Sequence, residues 1–391
     1  MSEDLIHGTQ HGLGLYIHWP FCIHKCPYCA FNSRVTTAVN HEGWRWALRL
    51  ALDHEVASMP KGHILKSVFF GGGTPSLMDP ATVATVLDQA AVAWPIAADV
   101  EVTLEANPGT VDRDRLTDFR VAGVNRLSLG VQALDDRALR WLGRIHDTRQ
   151  AIAAIDLARH FFPQLSFDLI YARPGQTLEA WRQELELAIA LTADHLSLYQ
   201  LTIEPGTAFS AYQARGALLV LPDEDTAADF YQMTQDVTAI AGLPAYEISN
   251  HARPGAECFH NVTAWQGGDI VGIGPGAHGR LSGFQRRNTI ATRQHQTPAV
   301  WLARVESCTH RTVSYLSPEE RLEELVVMGL RLTAGIDRTI FYNLVGRPLE
   351  SIFSLQTLER LAEFVTLDAA GLRVTSTGRL VLDEILRQIL V

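Results

Sequence analysis

The sequence lacks the segments by which a protein enters or crosses a membrane. No uninterrupted apolar run approaches the roughly 20 residues that a transmembrane helix needs, so we expect no membrane span. Residues 1–11 are polar and carry acids, without the basic start, apolar middle and small-residue cleavage site of a secretory signal. Together these two absences predict a cytoplasmic protein.

Clusters of positive charge are absent as well. The 391-residue chain has a formal net charge of −10 and no run of lysine or arginine. A protein that neutralises nucleic-acid phosphates needs a positive surface, so we do not expect nucleic acid as a partner. Apolar residues make up 47% of the chain and charged residues 19%, which is typical of a globular protein of this length with two domains.

Cysteines are few, and their spacing does not suit a disulfide framework. Of the five, Cys22, Cys26 and Cys29 fall within eight residues, whereas Cys258 and Cys308 are isolated. Clustered thiolates are soft ligands that favour iron–sulfur clusters, zinc or copper(I). The sequence therefore predicts a metal centre near its N-terminus.

The spacing of these three cysteines leaves several kinds of centre open. Structural zinc usually takes four protein ligands in two pairs; here a second Cys-x-x-Cys is missing, although His18 or His24 could supply the fourth ligand. A redox dithiol of Cys26 and Cys29 would leave Cys22 without a role. On a 4Fe-4S cluster, three thiolates leave one iron without a protein ligand and open to a cofactor or substrate.

Short apolar runs alternate with helical patterns along the first half of the chain. The runs predict six strands, at residues 14–18, 67–70, 100–104, 126–130, 166–170 and 195–201. The intervening patterns predict helices over residues 42–58, 79–93, 111–122, 148–161 and 178–192. This βαβα order predicts an α/β fold with a parallel sheet, open or closed into a full or partial barrel, and ligands at the carboxyl ends of the strands.

A smaller region begins near residue 317. There Ser-Pro-Glu-Glu opens an amphipathic helix that we expect to continue to residue 332. Two further apolar runs, at residues 372–375 and 380–386, flank a Ser-Thr-Gly turn, as strands do around a hairpin. The region resembles a small winged-helix module, but residues 317–391 carry 11 acidic and 8 basic side chains, which does not suit a phosphate-binding face. We expect it to pack against the rest of the chain or to contact another protein.

The cysteine motif lies in a longer run that resembles a known family. Tyr16-Ile-His-Trp-Pro-Phe-Cys-Ile-His-Lys-Cys-Pro-Tyr-Cys29 is similar to the start of radical-SAM proteins of the oxygen-independent coproporphyrinogen oxidase group. The resemblance implies a 4Fe-4S cluster on the three cysteines, with S-adenosylmethionine chelating the open iron through its amino and carboxylate groups. It also implies a partial (β/α)6 radical-SAM barrel over residues 1–250, a connecting region at 251–316 and a winged-helix-like α+β domain at 317–391.

Further residues match the cofactor contacts of that family. Gly71-Gly-Gly-Thr-Pro75 follows the second predicted strand, where glycines let the backbone approach a ligand, although turn glycines of no special role have the same pattern. Carboxylates suit ribose hydroxyls, and arginine suits a carboxylate; taken singly, such residues are also ordinary caps or surface groups. By the resemblance, the contacts expected with S-adenosylmethionine are Tyr16, the backbone around Tyr28, Gly72, Gly73, Thr74, Glu105, Gln132, Arg144 and Asp168.

One position separates two branches of this family. The oxidases carry a fourth cysteine two residues after the third, where this chain has Phe31. The run Cys29-Ala-Phe-Asn-Ser33 resembles instead the HemW branch of haem chaperones. This resemblance implies that the chain binds haem and delivers it to a haem-requiring acceptor, such as a membrane-associated respiratory protein. The alternatives are a radical enzyme, for instance a coproporphyrinogen III oxidase, and a zinc-stabilised scaffold with an interaction domain.

The same branch carries a His-Asn-x-x-Tyr-Trp motif, which here is His260-Asn-Val-Thr-Ala-Trp265. Because neutral imidazole is a common axial ligand of haem iron, the resemblance makes His260 the expected haem ligand; the residue alone would fit a histidine that hydrogen-bonds a loop. Ala264 replaces the tyrosine of the motif, and Ala30 stands where the branch often has aspartate. Cys258 is expected to be a small buried residue. The oligomeric state stays open, a homodimer included.

Overall fold

The computed structural model describes residues 12–192, 194–216, 220–282 and 289–390. Residues 1–11, on which the expectation about a secretory signal rests, lie outside this described part. The strands are β1 (Leu13–Trp19), β2 (Phe21–Cys22), β3 (Arg34–Val35), β4 (Leu65–Gly72), β5 (Ile96–Ala106), β6 (Arg126–Gln132), β7 (Gln164–Tyr171), β8 (His195–Gln200), β9 (Asn250–Ala252), β10 (Asp269–Ile273), β11 (His278–Ser282), β12 (Thr289–Gln294), β13 (Arg311–Leu316), β14 (Ile336–Asp337), β15 (Val365–Leu367) and β16 (Gly371–Val374).

The helices account for most of the remaining described chain. Short 3-10 helices at Pro75–Leu77, Pro108–Thr110 and Leu349–Ile352 supplement them. The α-helices are α1 (His41–Ala57), α2 (Pro80–Ala93), α3 (Arg113–Ala122), α4 (Asp136–Trp141), α5 (Thr148–Phe161), α6 (Leu178–Leu191), α7 (Ala208–Ala214), α8 (Glu224–Ile240), α9 (Phe259–Trp265), α10 (Pro298–Val305), α11 (Pro318–Gly329), α12 (Arg338–Val345), α13 (Leu355–Arg360), α14 (Ser376–Arg379) and α15 (Leu382–Ile389).

One sheet of eleven strands organises most of the described chain. Its centre is β1, β4, β5, β6, β7 and β8, which lie side by side in chain order and are all parallel. These are the six predicted strands, and the five predicted helices connect them as α1, α2, α3, α5 and α6. The predicted partial barrel of six parallel strands is therefore confirmed.

Alternation along β1 shows how the barrel separates its two faces. Leu13, Leu15 and Ile17 are fully buried in the main apolar core. Because successive side chains of a strand point to opposite faces, Tyr16 and His18 lie on the other face, toward the barrel interior. The apolar face thus packs under the helices, and the polar face is available for a site.

The predicted connecting region at residues 251–316 continues the same sheet. β10 pairs in parallel with the free edge of β1, and β11, β12 and β13 follow in antiparallel order. Trp301 of α10 is fully buried and stacks on Trp44 of α1, with ring centroids 5.5 Å apart. The region therefore shares the main core of the barrel.

The C-terminal region has a separate apolar core. Its first helix, α11, begins at the predicted capping box, in which the side chains of Ser317 and Glu320 each accept from the other's backbone N–H. A three-stranded sheet in the order β14-β16-β15 completes a small α+β domain. Arg331 contacts the ring of Trp265 with its guanidinium carbon 4.6 Å from the centroid, so this domain packs on the end of α9.

One predicted element of that domain is wrong. The run at 380–386, expected to be paired with residues 372–375 across a turn, is helical and lies mostly within α15, and the Ser-Thr-Gly segment begins α14. Leu382, Ile385 and Ile389 are buried at intervals of three and four residues, which is the spacing of one helix face.

Within the described ranges, no helix has both the length and the apolar composition to cross a bilayer.

Candidate iron–sulfur and cofactor site

The three clustered cysteines open on one cavity at the carboxyl ends of the barrel strands. Cys22 ends β2 and is buried, while Cys26 and Cys29 lie partly exposed in the following loop. The N–H of Cys29 donates to the carbonyl of Cys26 at 3.1 Å. All three are free thiols and line a cavity of about 390 Å³. The predicted metal-ligating residues are therefore together.

The glycine loop after β4 contacts the cysteine loop through its backbone. The N–H of Thr74 donates to the carbonyl of Phe21 at 2.9 Å. A Cβ on Gly73 would lie 2.7 Å from that carbonyl oxygen and 3.0 Å from Sγ of Cys22. Gly72 has φ +115°, in the left-handed region that favours glycine. These glycines allow a backbone approach that no side chain at position 73 would permit.

A histidine fastens the other end of the cysteine loop to β1. Nε2 of His18 donates to the carbonyl of Asn32 at 2.9 Å, so its Nδ1 accepts from the hydroxyl of Tyr16 at 3.0 Å. The side-chain amide of Asn32 donates to the carbonyls of Pro275 and Gln296, each at 2.9 Å. Since both ring nitrogens of His18 are engaged, His18 does not serve as a fourth metal ligand.

A chain of polar side chains connects the thiols across the cavity. The Thr74 hydroxyl contacts Sγ of Cys22 at 3.5 Å and accepts from the amide of Asn107 at 2.9 Å. Arg144 donates to Oδ1 of Asn107 and, through Nη1, to Sγ of Cys26 at 3.3 Å. Asn107 was missed in the sequence, although it is the last polar residue before a proline at the end of β5.

The donor set and the space around it fit a cluster held by three thiolates. Burial raises the pKa of the Cys22 and Cys29 thiols above its ordinary value, so a bound metal must displace protons to be ligated. Three soft ligands facing one cavity suit an iron–sulfur cluster better than a closed zinc site. His24 is exposed at the rim of the cavity and is the remaining candidate for a fourth ligand.

Two carboxyl groups lie deeper in the same cavity, on neighbouring parts of the barrel wall. Glu105 of β5 accepts from the N–H of Gly72 at 2.9 Å. Burial and the nearby charge of Asp168 raise the pKa of Glu105 to about 8. Burial also raises the pKa of Asp168, on β7, to about 6. Burial removes the hydrogen bonds that water would donate to these two carboxyl groups. Hydroxyl or cationic groups of a bound ligand could donate hydrogen bonds in place of that water.

Most of the predicted cofactor contacts surround this cavity. Gln132, at the end of β6, has φ +76° where the pairing with β7 shifts register, and strained residues of this kind are often found at binding sites. The predicted residues that line the cavity are Tyr28, Gly72, Gly73, Thr74, Glu105, Gln132, Arg144 and Asp168.

Tyr16 and His260 line a second cavity, of about 260 Å³, inside the barrel. Glu105 and Asp168 line both this second cavity and the cavity of the three cysteines, which we call the cofactor cavity. His260 is only 7% exposed, its Nδ1 lies 2.9 Å from the hydroxyl of Ser67, and burial lowers its pKa to about 4. The structure therefore places a neutral imidazole in the barrel interior, apart from the cysteine loop.

A buried ion pair holds the segment that carries His260. The N–H groups of Phe259 and His260 donate to the carboxylate of Glu101, each at 3.0 Å. Arg126 lies 3.5 Å from the same carboxylate, and Cys258 is buried as expected. Glu101 and Arg126 were missed in the sequence; the available signal was a charged residue within each of two predicted strands.

Gly73→Ala tests the close approach of the two loops. Its Cβ would displace the Phe21 carbonyl and Cys22, so we expect iron and acid-labile sulfide per chain after anaerobic reconstitution to fall several-fold. Gly109→Ala is the matched control, because its nearest neighbour, Cδ1 of Ile145, lies 4.0 Å away. Equal cluster content in the two variants would contradict the role given to Gly73.

Glu105 is one of the contacts expected with S-adenosylmethionine, and its raised pKa predicts a pH dependence of that binding. Below about pH 8 this carboxyl is protonated and accepts poorly from hydroxyl or cationic groups. The affinity measured by equilibrium dialysis should therefore rise roughly tenfold as the pH increases through about 8. A tenfold change in affinity corresponds to the free energy of about one hydrogen bond to a charged group. Glu105→Gln should remove this rise. An unchanged profile in the variant would assign the dependence to another group.

Two protein families and several known proteins match this chain. The family described as Radical SAM superfamily matches residues 16–188, and that described as HemN C-terminal domain matches residues 316–381. The chain is 42% identical over 391 residues to the mitochondrial Radical S-adenosyl methionine domain-containing protein 1 of Mus musculus, covering 96% of this chain and 87% of that one. It is 37% identical over 377 residues to Heme chaperone HemW of Escherichia coli, covering 96% and 97%.

A solved structure supports the fold. Coproporphyrinogen III oxidase (HemN) from Escherichia coli, described as a radical SAM enzyme, superposes with a TM-score of 0.79 at 24% identity, over 97% of this chain and 90% of that one. The first family match contains the cysteine motif and most of the barrel, and the second covers most of the C-terminal domain. The chain therefore belongs to the radical-SAM family, in the branch that includes the HemW haem chaperones.

Proposed function

We propose that this protein is a haem chaperone, which binds haem, a 4Fe-4S cluster and S-adenosylmethionine and delivers haem to an acceptor protein. The observation that carries the proposal is Phe31, which stands where the oxidases of the family have a fourth cysteine, in a chain that aligns with Heme chaperone HemW over 96% of its length. We further propose a cytoplasmic location and a respiratory acceptor.

The cysteine loop and its supports provide the cofactor part of this function. When bound, the cluster supplies an open iron that S-adenosylmethionine can chelate. Cys22, Cys26 and Cys29 would hold the cluster, and Arg144 contacts Sγ of Cys26. Glu105 and Asp168, which line the same cavity, would accept hydrogen bonds from the cofactor. Tyr16 contributes through His18, because its hydroxyl fixes the ring that holds the cysteine loop.

Exposed apolar side chains around the cysteine loop offer haem an alternative place to the barrel interior, at the opening of the cofactor cavity. Phe31 is 65% exposed, and Ile23, Val35 and Ile145 are also exposed. Phe31 lines the cofactor cavity, and Ile145 follows the arginine that contacts Cys26. Exposed apolar groups beside a cavity are common on surfaces that bind a ligand or another protein. The macrocycle of haem would cover such a surface.

Two imidazoles are candidates to ligate the haem iron. His260 remains the predicted ligand: Nδ1 is engaged by Ser67, while Nε2 has no hydrogen-bond partner among the described residues. Iron would reach that nitrogen only by entering the barrel interior, because the side chain is almost fully buried. His24 is exposed at the cavity rim and is the accessible alternative.

A haem titration of the anaerobically reconstituted protein, followed by the Soret band, tests this proposal. We expect stoichiometric binding by the parent, weakened several-fold by His260→Ala and unchanged by His24→Ala, because iron ligation depends on one imidazole. The reverse pattern would place the iron at the mouth and contradict the assignment to His260. Absence of saturable binding by the parent would contradict haem transport itself.

The same preparation separates the chaperone from a radical enzyme. Coproporphyrinogen III with S-adenosylmethionine and a low-potential reductant should yield no decarboxylated product, since this chain lacks the fourth cysteine. Decarboxylation at a rate that depends on Cys26 would instead support the oxidase.

A further inference from the structure

A second group of metal-ligating side chains lies where α1 meets the segment between α10 and β13. His54 is in the last turn of α1, and Cys308 and His310 are two residues apart before β13. One ligand atom from each lies within 4.8 Å of the others. The rings of His54 and His310 have centroids 5.4 Å apart. His54 is more than 250 residues from the other two in the sequence, so the fold brings it to them.

His310 is buried in a way that hydrogen bonding within the described chain does not explain. It has no exposed surface, and neither Nδ1 nor Nε2 has a partner among the described residues. Nδ1 of His54 is likewise buried and unpartnered in the described chain. Buried polar atoms in native proteins are almost always paired. Burial lowers the pKa of His310 to about 4, so the ring is neutral and offers a lone pair to a cation.

Cys308 is the exposed member of the group and offers its thiol from a strained backbone. Its φ of +55° is in the left-handed region, which a non-glycine residue rarely adopts. Its N–H donates to the carbonyl of Val305 at 3.1 Å, which ends α10 and turns the chain toward α1. Strain of this kind persists where the surrounding structure requires it.

The positive charge beside this group is paired with an acid. Arg311 is the nearest positive group in the sequence, and it forms an ion pair with the buried carboxylate of Glu55. Glu55 also accepts from the amide of Gln294 at 2.9 Å. The edge of Trp301 packs against His310, with ring centroids 5.9 Å apart, and excludes water from one side. The charge of Arg311, which contributes to the lowered pKa of His310, is therefore partly offset by Glu55, and the pocket is partly dry.

We propose that His54, Cys308 and His310 form a binding site for a borderline-soft divalent cation, with Zn²⁺ as the expected occupant. One thiolate and two imidazoles are ligands that zinc prefers, and a water would complete the tetrahedron. Zinc bonds of about 2.0 to 2.3 Å require the three ligand atoms to approach by roughly 1 Å. Binding releases the Cys308 thiol proton to solvent and fastens the loop before β13 to α1.

Cobalt(II) is the probe that tests this site, because its thiolate bonds give a charge-transfer band. In the full chain with Cys22, Cys26 and Cys29 replaced by serine, we expect one Co²⁺ per chain and the band. Cys308→Ser should remove the band and weaken cobalt binding by more than about a hundredfold. Substituting a residue that only hydrogen-bonds a metal ligand typically weakens metal binding by less than that. His54→Gln should weaken binding as well, and its side chain is partly exposed, so the variant should fold.

Cys258→Ser is the matched control, because Cys258 is the other remaining thiol and lies beside Glu101 rather than His54. It should keep the band. Zinc should also raise the melting temperature of the holo parent but not that of Cys308→Ser. Absence of saturable cobalt uptake, or a band that persists in Cys308→Ser, would overturn the proposal.

Discussion

The close backbone contact between the glycine loop and the cysteine loop is the constraint on which the candidate site depends. Gly73 approaches the Phe21 carbonyl and Cys22 more closely than any side chain would allow. That contact fixes Cys22 against the end of β4, and Thr74, Asn107 and Arg144 extend the connection to Cys26. The cysteines are in this way held against the barrel strands by hydrogen bonds and packing. They therefore have a defined geometry before any metal binds.

The barrel interior combines buried carboxyl groups with neutral histidines. Burial raises the pKa of Glu105 and Asp168 and lowers that of His195 and His260, so it disfavours charge on both kinds of residue. A single ligand can therefore alter several protonation states at once. Glu105 and Asp168 line both the cofactor cavity and the second cavity inside the barrel. A ligand bound in one cavity is therefore expected to change ligand binding in the other.

Much of the fold could be predicted because parallel strands and their crossover helices have strong local patterns. The six strands and five helices of the barrel were found from apolar runs and amphipathic spacing alone. The run at 380–386 was not, since a short apolar segment does not distinguish a strand from a helix. The continuation of the sheet through β10–β13 depends on pairing between distant segments, for which the sequence carries no local signal.

The site residues likewise include some that local sequence patterns identify and others that only the fold reveals. Cys22, Cys26 and Cys29 were identified by their spacing, and most of the predicted contacts do line their cavity. Asn107 and Glu101 were missed because an amide at a strand end and an acid inside a strand have many ordinary roles. Their importance depends on the partners that only the fold supplies, Arg144 for one and the N-terminus of α9 for the other.

The central claim is that three thiolates hold a 4Fe-4S cluster whose fourth iron binds S-adenosylmethionine. Electron paramagnetic resonance of the reconstituted, chemically reduced protein, recorded with and without S-adenosylmethionine and calibrated by metal analysis, tests it most directly. We predict one 4Fe-4S cluster per chain with a signal that changes when the cofactor is added. Zinc without iron and sulfide on these cysteines, or a cluster whose signal is indifferent to the cofactor, would contradict the claim.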